Sequence, residues 1–432
     1  MTQKNDWAPR PPMGWNSWDC YGTSVDEKTV RGNAEYMAEQ LKGHGWEYVV
    51  VDIQWSQSHP DGWAYRPFTD LCMDEYSRLI PAENRFPSSA GGKGFKPLSD
   101  YIHSLGLKFG IHIMRGIPRQ AVHRRTAIDY PGATALDAAQ TYSVCPWNTD
   151  MYGVSDTPAG QAYYDSIFRL YADWGVDYVK VDDIANTEFK PHDPYSAKRE
   201  IEMIRAAIDK TGRAIVLSLS PGPAPIATAE HLCANANLWR MTGDFWDSWP
   251  QLKAEFKRCE QWAPYVKKGC WPDCDMLPLG IVMAADADGG HPSGFTKTEQ
   301  VTLMNLFCIF RSPLMMGGEM RRNDEFTLNL MTNEDALKVN REGTAPAQLF
   351  LTEDAAAWKN TCEDGTNYLA LFNLSDVQQT VTVDRAEAGF GDSPVTEVWS
   401  KVTAPYRGSY TIPPHGSLMF RNLIQSNGTS EK

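Results

Sequence analysis

The sequence predicts an α/β protein in which a (β/α)₈ TIM barrel is followed by an antiparallel all-β domain at the C-terminus. Eight short apolar runs, each ending in polar or acidic residues, alternate with stretches of helical periodicity. This alternation is typical of βα units around a parallel sheet. The eight runs and the helical stretches between them together span about 320 residues, which matches the size of a (β/α)₈ barrel. From about Leu349 the runs become shorter and alternate in polarity, as in a β-sandwich.

The predicted strands of the barrel are taken in chain order. They are "PMGWNSW" (12–18), "YVVVDIQW" (48–55), "KFGIHIM" (108–114), "YVKVDDI" (178–184), "AIVLSLS" (214–220), "LWRMTGD" (238–244), "GCWPDCDM" (269–276) and "LFCIFRSP" (306–313). The first and the seventh are weak as strands by residue propensity alone.

Amphipathic stretches between these runs predict helices. Three clear examples lie at 25–45, 157–175 and 196–212, and each ends in a glycine, the residue that suits a helix C-terminus. A doubly wound open sheet is the alternative fold, because counting elements does not establish that the sheet closes. We expect the barrel to span 1–340 and the β-sandwich to span 348–425, with the linker "NREGTAPA" at 340–347.

The composition is that of an ordinary globular protein. Hydrophobic residues make up 42% of the 432 residues and charged residues 22%, and no apolar run approaches the length of a membrane span. The formal charge of -13, with no clustered basic face, argues against a nucleic-acid partner. Because the N-terminus lacks the apolar stretch of a secretory signal, we expect a cytoplasmic protein.

The nine cysteines are an odd number spread over a long chain, so we expect free thiols and not a disulfide framework. Cys270 and Cys274 are interpreted as buried thiols, because no second pair or nearby histidines complete a zinc site. The segment 56–95 after the second strand is long for a connection. It is a candidate for the rim of a pocket or for the contact in a homo-oligomer.

Ligands of a parallel barrel meet the C-terminal ends of its strands, so the polar residues that close the apolar runs are the candidate site. This set is rich in carboxylates and nearly free of nucleophilic cysteine or Ser-His pairing. Two carboxylates in different environments suit glycoside hydrolysis, in which one attacks the anomeric carbon and the other protonates the leaving oxygen. The candidates are Trp18, Asp52, His112, Lys180, Asp182, Asp183, Ser220, Arg240, Asp244 and Asp275.

Asp182 is the candidate nucleophile. It lies two positions after Lys180 in one strand, so both side chains point to the same face, and the ammonium favours the ionised carboxylate. Asp244 is the candidate acid. It precedes Phe245 and Trp246, and apolar walls around a carboxyl group would favour its protonated form.

Two other interpretations of the acids stay open. An aspartate at the end of a strand is often the N-cap of the next helix. Clustered carboxylates also bind Mg²⁺ or Mn²⁺, but Lys180 and Arg240 would compete for the same negative charge. We therefore expect no metal and no cofactor, and the substrate expected from these residues is a small sugar or oligosaccharide.

Six motifs occur in order from "PPMGWNSW" through "GLKFGIH", "YVKVDD", "LWRMTGDFWDSW" and "WPDCDML" to "RSPLMMGG". Together they resemble the strand-end motifs of glycoside hydrolase family 27, the clan D α-galactosidases. The resemblance implies a barrel with a C-terminal β domain and a retaining mechanism without cofactor, in which Asp182 is the nucleophile and Asp244 the acid/base. It also implies sugar contacts for Trp18, Asp52, Lys180, Arg240 and Asp275.

The sequence departs from the family pattern at three strand ends. Where α-galactosidases of the family usually have two successive acids that hold O4 and O6 of galactose, this chain has Asp52 followed by Ile53. The usual tyrosine of the third strand is His112. The usual Cys-Glu-Trp of the fifth is "LSP" at 219–221, whose small Ser220 resembles members that accept a 2-acetamido group.

The exchange at Ile53 predicts the substrate. α-D-Galactopyranose without its C5 hydroxymethyl group is β-L-arabinopyranose, and Ile53 would fill the space left vacant. Burying O6 of galactose without a partner would cost about 1 to 3 kcal/mol, although an apolar pocket rejects an added hydroxyl only about a hundredfold. With this exchange the chain resembles the β-L-arabinopyranosidase branch of family 27, and we expect that activity together with weaker α-galactosidase activity. The alternatives are an α-galactosidase in which a residue of "SQSHPDGW" (56–63) holds O6, and a non-catalytic carbohydrate-binding protein.

Overall fold

The computed structural model describes residues 4–187, 195 and 197–422, and these divide into two compact units. Unit 1 comprises Met1–Phe245, Lys268–Ser293 and Leu314–Asp324, and unit 2 comprises Trp246–Lys267, Gly294–Pro313 and Glu325–Lys432. None of the helices formed by the described residues is both long enough and apolar enough to cross a bilayer.

The described residues of unit 1 form thirteen strands and eight α-helices. The strands are β1 (Met13–Asn16), β2 (Tyr48–Val51), β3 (Lys108–Met114), β4 (Ile117–Pro118), β5 (Ala139–Val144), β6 (Met151–Val154), β7 (Tyr178–Thr187), β8 (Val216–Gly222), β9 (Leu238–Arg240), β10 (Trp271–Asp273), β11 (Ile281–Val282), β12 (His291–Pro292) and β13 (Leu314–Met316). The helices are α1 (Trp18–Tyr21), α2 (Glu27–Tyr36), α3 (Lys96–Ser104), α4 (Arg119–Arg124), α5 (Ala135–Ala138), α6 (Pro158–Trp174), α7 (Lys198–Thr211) and α8 (Ala229–Asn235).

Eight of these strands form one parallel sheet in the order β10-β9-β8-β7-β3-β2-β1-β13. The sheet closes just beyond β10, where Leu277 N–H donates to the carbonyl of Met315 at 2.7 Å and the Leu277 carbonyl accepts from Gly317 N–H at 2.9 Å. These bonds join the last strand to the first edge, so the sheet is a closed barrel and the doubly wound alternative is excluded. The strands read as continuous apolar runs because both faces of a barrel strand are buried.

Unit 2 holds four helices and eight strands among its described residues. They are α9 (Trp249–Trp262), α10 (Lys297–Phe310), α11 (Glu325–Thr332), α12 (Glu334–Glu342), β14 (Ala347–Leu351), β15 (Ala355–Thr361), β16 (Asn367–Asn373), β17 (Gln379–Thr382), β18 (Val395–Glu397), β19 (Thr403–Ala404), β20 (Ser409–Ile412) and β21 (Ser417–Asn422). A six-stranded sheet, β14-β15-β16-β21-β18-β19, and a two-stranded sheet, β17-β20, are both antiparallel. Leu371, Val381, Ile412 and Phe420 belong to one apolar core that both sheets share. The predicted antiparallel domain is therefore confirmed.

The predicted eighth strand is wrong. Most of 306–313 belongs to helix α10, and the strand is β13, which begins at Leu314. Every residue from Thr302 to Phe310 is buried, so the helix lacks the polar face that reveals helical periodicity and its apolar residues form a continuous run. The signal that identifies it is the capping box, in which Thr296 and Glu299 satisfy each other's backbone N–H groups.

The other predicted elements of the barrel are confirmed. The two weak strands form as β1 and β10, and the three predicted helices lie over α2, α6 and α7. Gly175 and Gly212 follow α6 and α7 directly in left-handed conformations, with φ of 82° and 69°. Gly45, with φ of 94°, follows the π-helical segment Met37–Leu41 and the 3-10 turn Lys42–His44 that continue α2. All nine cysteines lie among the described residues and none of them forms a disulfide, and Cys270 and Cys274 are buried.

A buried arginine fastens the long segment after β2. Residues 52–95, all described, contain one regular element, a 3-10 turn at Pro87–Ser89. Arg85 donates to the carbonyls of Gln54 and Gln57 at 2.7 and 3.0 Å, and to those of Thr23 and Val25 at 2.6 Å each. One guanidinium therefore joins the residues after β2 to those after α1.

We expect Arg85→Met to lower the free energy of unfolding by about 3 to 5 kcal/mol, because four buried carbonyls lose their donor. Urea unfolding followed by circular dichroism measures this. The control is Arg124→Met, since the Arg124 side chain is 59% exposed, and its effect should stay within about 0.5 kcal/mol. Equal losses in the two variants would contradict this account of the segment.

Candidate active site

The strand-end residues meet at the C-terminal mouth of the barrel. Each of the first seven strands of the predicted series contributes to it, and the contacts below connect them. Trp18 begins α1, Asp52 and Ile53 follow β2, His112 lies in β3, Lys180 and Asp182 lie in β7, Ser220 lies in β8, Arg240 ends β9, Asp244 follows it, and Asp275 follows β10.

Asp52 is a buried carboxylate that holds a buried cation. Its Oδ2 accepts from Lys180 Nζ at 3.0 Å and from Asn16 Nδ2 at 2.8 Å, and its Oδ1 accepts from Ile53 N–H at 2.8 Å. Burial alone would raise the pKa of Asp52, but Lys180, His112 and these hydrogen bonds hold it well below its usual range. Asp52 is therefore ionised.

Asp182 is held by three donors. His112 Nε2 lies 3.1 Å from its Oδ2, and Ser220 Oγ and Asp183 N–H donate to its Oδ1 at 3.2 and 2.9 Å. Burial opposes ionisation, but the hydrogen bond and charge of His112, followed by Lys180, lower the pKa of Asp182 below its ordinary value. Lys180 and Asp182 lie two positions apart in β7, and the charge of each acts on the pKa of the other. The carboxylate is in the ionised form that a nucleophile needs.

Asp244 differs from the expectation. Its side chain is 58% exposed, and its Oδ1 lies 3.0 Å from Nη2 of Arg240, so apolar walls do not enclose it. The neighbouring Phe245 is buried, and its N–H donates to Asp275 Oδ2 at 2.8 Å. Arg240 Nη1 also binds Asp275 Oδ1 at 2.7 Å. Asp244 is thus an accessible carboxyl group at the mouth, next to a cation.

The floor of the site is a small cavity of about 20 Å³. Asp273, the last residue of β10, lines it and accepts from Asp275 N–H at 2.9 Å. Burial and the charge of Asp275 raise the pKa of Asp273 to about 7. Burial likewise raises the pKa of Asp275, against the opposing charge of Arg240. The floor therefore carries less negative charge near neutral pH than its two carboxyl groups suggest.

Ile53 lies in an apolar cluster and not among the charges. Its side chain is 3% exposed and packs with Met114, Cys145 and Met151. Across the β3–β7 pair, Met114 is the register partner of Asp182, which places this cluster beside the candidate nucleophile. The partly buried side chains packed against the cluster are Trp18, Tyr65, Leu79 and Trp147.

Four aromatic rings, which we call the aromatic wall, extend from this cluster: Trp18, Trp63, Tyr65 and Trp147. Trp18 stacks on Tyr65 with centroids 6.2 Å apart and meets the edge of Trp63 at 5.7 Å, while Tyr65 and Trp147 lie 5.4 Å apart. Burial, together with the charges of nearby carboxylates, Asp182 first, raises the pKa of Tyr65. The wall provides an apolar face against which a sugar ring can stack.

Sequence reasoning missed several of these residues. Asn16 and Asp273 are the last residues of β1 and β10, so the strand-end rule would have found both. Tyr65 and Trp147 come from two loops and lie 82 positions apart in the sequence. Aromatic residues near strand ends were the available signal, but only the folded chain brings these two together.

The described residues contain no group of three or more His, Cys, Asp or Glu arranged to hold a metal ion. Instead, Lys180 lies between Asp52 and Asp182, and Arg240 lies between Asp244 and Asp275. Among these groups, Asp182 is a buried, ionised carboxylate and Asp244 is an accessible carboxyl group. Such a pair, with different environments, can divide the roles of nucleophile and acid.

Comparisons with known proteins agree with this geometry. Residues 10–157 and 152–342 match the family model of α-galactosidase A, and residues 352–422 match that of the α-galactosidase C-terminal β-sandwich domain. A GH27 β-L-arabinopyranosidase from Geobacillus stearothermophilus is 51% identical, with 100% of both chains covered and a TM-score of 0.94.

Two further relatives differ in their sequence identity to this chain. A variant of the Geobacillus stearothermophilus enzyme in complex with arabinose is 51% identical, with a TM-score of 0.94 over 98% of this chain and 100% of that one. Alpha-galactosidase 2 of Arabidopsis thaliana is 26% identical over 430 residues, which cover 97% of this chain and 91% of the relative.

The ion pair of Lys180 and Asp52 gives a prediction about stability. We expect Lys180→Met to cost about 3 to 5 kcal/mol at neutral pH, because Asp52 becomes a buried charge without its cation. The pKa of Asp52 is depressed in the folded protein, so its contribution is present above its unfolded value of about 3.9 and is lost at lower pH. Without Lys180 the burial of Asp52 loses its main opposing charge and raises the pKa of this carboxyl group above its unfolded value. The group then takes up a proton as the pH falls, so the deficit should shrink between pH 7.5 and pH 4.5.

Urea unfolding at the two pH values measures this. The double variant Asp52→Asn with Lys180→Met is the control, since it removes both charges and should recover part of the loss at pH 7.5. A deficit that is the same at both pH values would mean that the two groups do not interact as described.

Proposed function

The chain belongs to the α-galactosidase A family, glycoside hydrolase family 27, and on that premise we propose that it is an exo-acting β-L-arabinopyranosidase. It releases terminal β-L-arabinopyranose with retention and acts more weakly on α-D-galactopyranosides. The observation that carries this proposal is the position of Ile53, which follows Asp52 at the end of β2 and packs into an apolar cluster.

That position accounts for the preference in physical terms. Asp52 is fixed by Lys180 and Asn16 and remains available to hydroxyls that both sugars share. The next residue offers hydrocarbon where galactose would place its hydroxymethyl group. Burying O6 there without a hydrogen-bond partner costs about 1 to 3 kcal/mol. An apolar pocket usually lowers kcat/KM for a substrate with an added hydroxyl by no more than about a hundredfold, so weaker activity on galactosides remains.

The reaction proceeds by double displacement. Ionised Asp182 attacks the anomeric carbon and the bond to the leaving oxygen breaks as Asp244 gives that oxygen a proton. Water then attacks the glycosyl-enzyme while Asp244 takes its proton, which regenerates Asp182. The lowered pKa of Asp182 and the exposure of Asp244 support these roles. Retention requires the two carboxyl groups to lie about 5 to 5.5 Å apart in the sugar complex.

An α-galactosidase is the second candidate, because a curated relative of similar length is named as one. It would need another group to hold O6. Within 56–63, Gln57 is buried and its amide donates to Asp150 Oδ2 at 3.1 Å, so that side chain is already engaged. Trp63 belongs to the aromatic wall and offers an edge to Trp18.

We expect the nitrophenyl β-L-arabinopyranoside to be hydrolysed with a kcat/KM at least about tenfold above that of the nitrophenyl α-D-galactopyranoside. Steady-state kinetics on the two substrates under one set of conditions measure the ratio. A ratio in favour of the galactoside would select the α-galactosidase. Asp182→Ala is the control for catalysis, since an enzyme should lose nearly all turnover whereas a carbohydrate-binding protein has none to lose.

Ile53→Asp tests the residue directly. The new carboxylate can accept a hydrogen bond from O6, so the ratio of galactoside to arabinoside kcat/KM should rise by about tenfold, while turnover of the pentoside falls. Ile53→Val is the matched control, because it stays apolar and should leave the ratio unchanged. An unchanged ratio in Ile53→Asp would mean that this side chain does not face C5 of the sugar.

A further inference from the structure

A buried arginine contacts the backbone of the candidate nucleophile and takes no part in the chemistry described above. Arg115 follows β3 and is 3% exposed. Its Nε donates to the Asp183 carbonyl at 2.7 Å, its Nη2 lies 2.8 Å from Asp183 Oδ2, and its own N–H donates to the Asp182 carbonyl at 3.0 Å. The backbone on both sides of the peptide bond that follows Asp182 is therefore held by one residue.

The backbone needs such support at this point. Asp183 and Ala185 have left-handed conformations, with φ of 59° and 69°, and the register between β7 and β8 slips after Val181. Non-glycine residues in this region are strained and persist where their surroundings enforce them. The conformation directs Asp183 N–H at Asp182 Oδ1, at 2.9 Å.

The guanidinium is itself fixed from the other side. Its Nη1 lies 2.9 Å from Glu200 Oε1, and Glu200 Oε2 accepts from Val154 N–H at 3.0 Å and from the hydroxyl of Tyr164. Arg115, Asp183, Glu200 and Tyr164 are all buried. Buried ion networks of this kind add little stability over apolar packing of the same size, so a positioning role explains this one better than stability does.

We infer that Arg115 is a positioning residue for the nucleophile: it clamps Asp183 in its left-handed conformation and thereby sets the direction of the Asp182 carboxylate. This inference rests on the proposed role of Asp182. The titratable and charged groups around that carboxylate are His112, Lys180, Tyr65 and Cys145. Arg115 acts on Asp182 through the backbone and not by direct contact.

The test compares Arg115→Met and Arg115→Lys with the control Arg205→Met. Arg205 is a second buried arginine of the same unit, 5% exposed, which pairs with Asp209 and lies over the ring of Trp7. The readouts are kcat, KM, the pH dependence of kcat/KM and Tm. The assay uses whichever of the two nitrophenyl glycosides the unaltered enzyme hydrolyses faster, so an error in the proposed sugar preference does not affect it.

We expect Arg115→Met to lower kcat about a hundredfold with KM changed less than about threefold, because orientation of the nucleophile matters in the transition state. Loss of the hydrogen bond from Asp183 should move the acidic limb of kcat/KM upward by about one pH unit. Arg115→Lys should recover part of kcat. Arg205→Met should lower Tm without moving either kcat or the acidic limb.

A loss of Tm in Arg115→Met without a change in kcat or in the acidic limb would overturn the inference. If that variant does not fold, Asp183→Asn provides the same test, since it removes the carboxylate partner of Arg115 and retains the backbone. Failure of the proposed function has a different signature, because turnover that persists in Asp182→Ala would remove the nucleophile assignment itself.

Discussion

The ammonium of Lys180, buried between two carboxylates, is the interaction on which the rest of the site depends. It lies 3.0 Å from Asp52, and its charge lowers the pKa of both Asp52 and Asp182. Two unit charges about 4 Å apart interact by about 4 kcal/mol at an effective dielectric constant of 20. Without a cation here, Asp52 would lose the largest of the interactions that keep it ionised in a buried position, and Asp182 would depend on His112 and its remaining donors.

The second cation divides the acids into two classes. Arg240 lies between Asp275 and Asp244 and forms an ion pair with each. Asp275 is buried, whereas Asp244 is exposed to solvent. Lys180 serves the buried pair and Arg240 the pair that reaches the surface. The two carboxyl groups that a glycosidase needs therefore differ in access to water and not in residue type, which allows two aspartates to take different roles.

The sequence predicted those parts of the site that depend on local backbone geometry, and it missed those that depend on tertiary folding. The period of two placed Lys180 and Asp182 on one face, and the strand-end rule found Asp52 and His112, because both depend on backbone geometry that every strand shares. The predicted apolar environment of Asp244 was wrong, because the turn after Arg240 decides where that side chain points and the strand pattern does not encode it. Helix α10 was mistaken for a strand because a helix buried on all sides has lost its polar face, and the pairing of Tyr65 with Trp147 depends on tertiary folding.

The same charge balance bears on the residue after Asp52. Lys180 already serves two carboxylates, and Ile53 packs in an apolar cluster with Met114, Cys145 and Met151. An acid at this position would be a third negative charge in a region with one ammonium, and its burial would need a further donor or access to water. A substrate without a hydroxymethyl group removes that requirement. The proposed preference for a pentose would therefore depend on the whole cluster and its charge balance, in which Ile53 is the residue that the sequence reveals.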